Sequence, residues 1–169
     1  MPIVPFESLP GTARVWVFAA EHPVTNGAEA ELLDGVDAFL AEWAAHGAPL
    51  RCARDWRENR FLTIAVDDSA GAAGASGCSI DGLYRTLRDA ERSLRTTLVA
   101  GGRVFFRGED GRVSSAAREV FSDLAAAGEV GRETRVFDTT VASLADWRDH
   151  FELEAESSWH AQLLPEPAA

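Results

Sequence analysis

Residues 50–67 read LRCARDWRENRFLTIAVD, and this stretch decides how the rest of the chain can fold. Its second half, Arg60 to Asp67, is the more apolar of the two and is expected to lie centrally in a sheet. The first half, Leu50 to Arg57, carries Arg51, Arg54 and Arg57, which suit a strand nearer a sheet edge. Glu58 and Asn59 join the two tightly, so the stretch is predicted to be a hairpin with its second strand central. A third strand is predicted upstream at Ala13 to Ala20 (ARVWVFAA).

Helices are predicted on either side of this hairpin. From Ala28 to Ala45, Leu32, Leu33, Val36, Phe39, Leu40 and Trp43 recur at three- and four-residue spacing, with Glu29, Glu31, Asp34, Asp37 and Glu42 off that stripe. His46, Gly47 and Pro49 form a stop signal, with His46 placed at the helix C-terminus where it suits the dipole. Beyond a Gly- and Ala-rich loop from Ser69 to Gly77, Ser76 or Ser79 is expected to cap a second helix running to about Arg95. Its apolar stripe is Ile80, Leu83, Tyr84, Leu87, Ala90 and Leu94.

After Gly101 and Gly102, RVFFRGEDGRV reads as a further hairpin turning at Asp110 and Gly111. Ser114 or Ser115 is expected to cap a third helix with Val120, Phe121 and Leu124 inward and Gly128 at its end. A strand at Thr134 to Asp138, a short helix around Leu144 to Phe151 and the tail SSWHAQLLPEPAA complete the chain. Through residue 107 the order is βαββαβ, which predicts an α+β fold with a ferredoxin-like sheet. The expected organisation is a ferredoxin-like lobe at 1–100, a smaller hairpin, helix and strand lobe at 101–151, and a C-terminal tail, 152–169, packing back on the core.

Composition narrows the function classes. At 169 residues and 46% hydrophobic, the chain is long enough to bury its own core. A net charge of -11 argues against nucleic acid and anionic membranes as partners, because both are held through clustered cations. All 16 basic residues are Arg, so no lysine exists to serve a P-loop or a Schiff base. Cys52 and Cys78 are the only cysteines and neither lies in CxxC spacing; no metal and no cofactor are expected. No apolar run approaches the roughly 18 residues of a membrane span, and the start MPIVPFESLPG lacks a basic n-region and an h-region, so a cytoplasmic address is expected.

Several segments together resemble a bacterial family of similar length: LPGTARVWVFAAEHP, FLAEWAAHGAPLR, FLTIAVDDSA, GASGCSIDGLYRTLRDAE and SSWHAQLLP. ASGCSID, at Ala75 to Asp81, and SWHAQLLP, at Ser158 to Pro165, are its most specific elements. The family has no established activity, and the ABC transporter ATPase label some members carry does not suit this chain, which has no G-x-x-x-x-G-K-[ST] loop. Within Val104 to Trp147, a hairpin ending in GRV, a helix with LAAAGEV, then TRVFD and a later Trp resemble the small modules called GYF-2. That resemblance implies a role in protein contacts, although no Gly-Tyr-Phe tripeptide occurs in the chain.

Chemistry has one favoured location. At Ser76 to Asp81 a Gly-containing approach, free N–H groups at a helix start and Cys78 in the first turn coincide. Ser76, Gly77, Cys78, Ser79 and Asp81 could therefore hold an anion, and the dipole could activate the Cys78 thiol if His46 or His160 served as a base. The alternative is structural: a serine cap, a small apolar cysteine, and Asp81 complementing the dipole. Trp159, His160 and Leu163 form an apolar cluster in the tail, expected to dock on the core or on a partner. Two functions remain open at this level. One is a non-enzymatic interaction or adaptor protein, with a protein partner or as a homodimer; the other is a small enzyme or anion- or ligand-binding protein using Ser76 to Asp81.

Overall fold

Six consecutive buried residues, Phe61–Val66, form the strand on which the first half of the protein is assembled. The computed structural model describes residues 3–69, 75–99 and 101–168, with Cys78 described by its backbone alone. The fold is mixed α and β, with four α-helices and antiparallel sheets among the described residues. The chain divides into two compact units, Met1–Ala100 with Thr140–Arg148, and Gly101–Thr139 with Asp149–Ala169.

The first unit begins with a 3-10 turn, then β1 (Arg14–Ala19) and α1 (Ala28–Glu42). Next come the two-residue strands β2 (Ala44–Ala45) and β3 (Ala48–Pro49), the hairpin β4 (Cys52–Arg57) and β5 (Phe61–Val66), and α2 (Gly77–Leu94). Sheet order is β1-β5-β4, so the strand apolar on both faces is central and the Arg-bearing strand lies at the edge. Glu58 and Asn59 turn the hairpin with left-handed φ of 56° and 53°. The guanidinium of Arg60, 7% exposed, then donates to the carbonyls of Ala20 (3.1 Å) and Glu21 (2.6 Å), fastening the turn to the end of β1.

Alternation along β5 divides its side chains between two covers. Leu62, Ile64 and Val66 pack with Leu32, Val36 and Leu40 of α1 and Leu83 and Leu87 of α2. Thr63, between them, accepts a hydrogen bond from Trp147 Nε1 at 3.0 Å, and Trp147 lies on α4 (Leu144–His150). The segment leading into α4 also lines the free edge of β1, where Val15 N–H donates to Ala142 and Leu144 N–H to Ala13. That edge is where a fourth strand of the expected βαββαβ sheet would pair.

The strand expected there pairs elsewhere. The second unit is a four-stranded sheet of order β7-β6-β8-β9, from β6 (Arg103–Arg107), β7 (Val113–Ala117), β8 (Arg135–Phe137) and β9 (Glu152–Glu154), with α3 (Arg118–Ala126). Its core gathers Val104, Phe106, Ala116, Phe121, Val136 and Ala155. Residues 152–169 belong to this unit as β9 and two 3-10 turns.

Three local expectations are corrected. Ser114 and Ser115 do not cap α3 but lie within β7; the helix starts at Arg118 without a side-chain cap, and Arg103 Nε donates to the Ser115 hydroxyl instead. Val120 points outward at 50% exposure while Phe121 is fully buried, because the buried stripe of α3 runs through Phe121 and Ala125, one turn apart. His46 is not a helix residue: α1 stops at Glu42, and His46 (φ 51°) with Gly47 (φ 80°) makes the tight turn between β2 and β3. No described helix is long and apolar enough to cross a membrane.

Thr63→Val leaves the buried Trp147 indole N–H without this acceptor, and is expected to lower unfolding free energy by about 1–3 kcal/mol in urea titrations.

Candidate functional site

The strand-to-helix connection after β5 is held at both ends by carboxylates. Asp67 accepts from the Ser69 N–H at 3.0 Å and from its hydroxyl, and pairs with Arg51 at 2.9 Å. Those hydrogen bonds from Ser69, and then Arg51, hold the Asp67 carboxyl below the usual carboxylate range. Asp68 accepts the Ala75 N–H at 3.0 Å, and Arg14 reaches both Asp68 (3.5 Å) and the Ala75 carbonyl (3.4 Å). The interior of the loop, 70–74, lies outside the described residues.

At the start of α2, Ser76 is the cap, its hydroxyl accepting from Ser79 N–H at 3.4 Å. Ser79 is only 9% exposed, its hydroxyl donates to the Ser76 carbonyl at 2.8 Å, and its own carbonyl accepts from Trp43 Nε1 at 2.9 Å. Both serines are thereby engaged within the fold, whereas Gly77 and Asp81 are exposed. The Cys78 side chain is outside the described residues, and so is the expectation about its reactivity.

The proposed bases do not share a unit. His46 sits exposed on the β2–β3 turn of the first unit. His160 belongs to the second unit and is 0% exposed, with Nδ1 hydrogen-bonded to the Ser158 hydroxyl at 2.7 Å and Nε2 without a partner. Burial, assisted by Arg118 and opposed by Asp138, pushes its pKa down to about 4. Trp159 stacks on the His160 ring at 3.9 Å and lies under the Arg118 guanidinium at 4.8 Å. Trp159 and Leu163 pack partly buried on the same core, so the apolar tail cluster closes its own unit and leaves no His160 surface for a partner. Cys52 is buried too, its thiol 3.6 Å from the Leu40 carbonyl and pushed up to about 11 by desolvation. Among the described residues no group of three or more His, Cys, Asp or Glu could hold a metal ion.

An open groove of about 700 Å³ lies in the second unit. Phe106, Leu124 and Val130 give it an apolar lining, and the loops 108–110 and 129–135 contribute Glu109, Asp110, Glu129 and Glu133. Two arginines also line it, but Arg107 pairs with Glu152 of β9 at 2.9 Å and donates to the Gly111 carbonyl at 2.7 Å. Arg135 likewise donates to the Glu152 carbonyl at 3.0 Å. Asp110 closes its own hairpin by accepting the Arg112 N–H at 3.0 Å. The carboxylates of Glu109, Glu129 and Glu133 have no ion-pair or hydrogen-bond partner among the described residues. Sequence reasoning missed this groove. Its trace in the chain is two acidic turns, GED at 108–110 and GEVGRE at 128–133, which a hairpin, helix and strand unit brings together.

No family model matches the chain, and no curated protein or solved structure matches it at a significant level.

In a Cys78→Ser protein, thiol reagent at neutral pH is expected to label Cys52 no faster than the fold opens, with full labelling in denaturant; rapid native labelling would contradict the buried, proton-retaining thiol. His160 sets a pH dependence of known sign. Its folded pKa of about 4 lies below the ordinary value of 6.5, so the unfolded chain binds the proton more readily. The contribution is full above 6.5 and is lost as pH falls from 6.5 through 4, a change on the order of 3 kcal/mol. Urea unfolding between these limits is expected to show that slope in the native protein and its loss in His160→Gln.

Proposed function

We propose that the protein is a non-enzymatic interaction module whose second unit docks a short segment of another protein, an apolar residue flanked by Arg or Lys. The observation that carries this reading is the groove itself, an apolar lining of Phe106, Leu124 and Val130 beside the unpaired carboxylates of Glu109, Glu129 and Glu133. An apolar side chain gains by leaving water on such a lining, and the carboxylates select what flanks it. Because Arg107 and Arg135 both turn to Glu152, the unpaired charge facing the groove is negative, as is the chain's net charge of -11. Long-range attraction therefore favours basic segments over acidic ones.

The likeness of Val104 to Trp147 to GYF-2 modules, thought to mediate protein contacts, points the same way. The missing Gly-Tyr-Phe tripeptide separates this groove from an aromatic surface for proline-rich ligands, and its charge suits a different peptide. We read the first unit as a ferredoxin-like arrangement completed by residues 142–144 in place of a fourth strand, on the support of its β1-β5-β4 order. The internal engagement of Ser76 and Ser79 favours the interaction reading over a ligand site at Ser76 to Asp81.

Selection of a random peptide display library on the full-length protein is expected to enrich apolar residues bordered by Arg or Lys. Binding of the enriched peptides should weaken about tenfold or more in Glu129→Lys/Glu133→Lys, whose changes lie outside the core. No enrichment, or enrichment indifferent to the double substitution, would overturn the proposal.

A further inference from the structure

We infer that residues 157–164 form an acid-released strap, a segment that leaves the core of the second unit when His160 takes up a proton while the sheet beneath stays folded. This inference does not depend on what the groove binds. The last backbone hydrogen bonds tying the tail to another element run from Ala155 N–H to the Thr134 carbonyl and from Glu156 N–H to the Arg132 carbonyl. Beyond them, among the described residues, the hydrogen bonds stay inside the tail: Ser158 N–H to Ala155, Ala161 N–H to Ser158, Leu164 N–H to Ala161, and the Ser158 hydroxyl with Ala155 and His160.

Side-chain burial is therefore what holds the segment down, through His160 and through Trp159, Leu163 and Leu164, which pack on the core of Val104, Phe106 and Phe121. Such a segment can lift away without breaking a backbone hydrogen bond of β6 to β9 or of α3. Its opening costs less than unfolding the unit, which makes it a separate local transition.

His160 is the titratable member of this contact. In either tautomer Nδ1 meets the Ser158 hydroxyl and Nε2 is buried without a partner. A proton places full charge on a ring with no exposure and leaves the Nε2 N–H with no acceptor. Two aromatic rings face the imidazole, Trp159 stacked at 3.9 Å and Phe121 of α3 edge-on at 6.3 Å. Of the charged groups that act on it, Arg118 at the start of α3 opposes protonation, and its guanidinium already occupies the Trp159 ring at 4.8 Å; Asp138, just after β8, favours it. Burial prevails, so the docked ring takes up its proton only near pH 4, whereas a solvated histidine does so near 6.5. Between those limits acid favours the released strap and neutral pH the docked one.

Amide hydrogen exchange of the full chain, corrected for the intrinsic pH dependence of exchange, tests this. At neutral pH the amides of 158–164 are expected to be less protected than those of β6 and β8, because they open without the sheet. On acidification from about pH 7 to about pH 5, protection of the strap is expected to fall about tenfold or more. In His160→Gln and His160→Phe, neither of which can take up the proton, that fall is expected to disappear, with protection of β6 and β8 showing that each variant is folded. Equal protection of strap and sheet at every pH, strap protection indifferent to acid in the native protein, or a fall that persists in a folded variant would each overturn the inference.

Discussion

A strand buried along its whole length must be covered twice, and Phe61–Val66 is such a strand. One face is sealed by α1 and α2 through Leu62, Ile64 and Val66. The other carries Thr63, a hydroxyl that could not be buried without a partner, and the Trp147 indole supplies it. Because β4 and β1 flank this strand, their placement follows from it, and so does the recruitment of a segment more than seventy residues downstream.

Much of the first unit was legible because its signals were redundant. The central strand announced itself by being the more apolar of the hairpin, the edge strand by Arg51, Arg54 and Arg57, and the helices by stripes that end up buried at Leu32, Val36, Leu40, Leu83 and Leu87. What failed were choices between local options of similar energy. Ser114 and Ser115 are good caps and tolerable strand residues, and pairing with β6 decided for the strand. RVFFR suits either sheet as a pattern; only its pairing with β7 and β8 distinguishes the two, and pairing is a property of distant segments. His46 followed by Gly47 reads as a helix stop or as a two-residue turn, and both residues adopt the left-handed conformation that the turn requires.

The candidate site residues were less legible for a related reason. Cysteine, histidine and tryptophan attract attention for their chemistry, yet in this fold Cys52 and His160 are enclosed and Trp159 covers a core. The groove in the second unit depends instead on glutamates that are ordinary surface residues one by one. They become a feature only when β6 and β8 pair and set two acidic turns around an apolar lining. Burial turns conspicuous side chains into structural ones, and topology turns unremarkable ones into a surface.

The route of the chain between its two units has a consequence for biosynthesis. Residues 140–148 belong to the first unit although 101–139 and 149–169 form the second. A nascent chain released from the ribosome only as far as residue 100 lacks the cover for Thr63 and for the outer edge of β1, so the first half is completed only after residues 101–139 of the second have been made. Dividing the polypeptide at any single peptide bond cannot yield two complete halves.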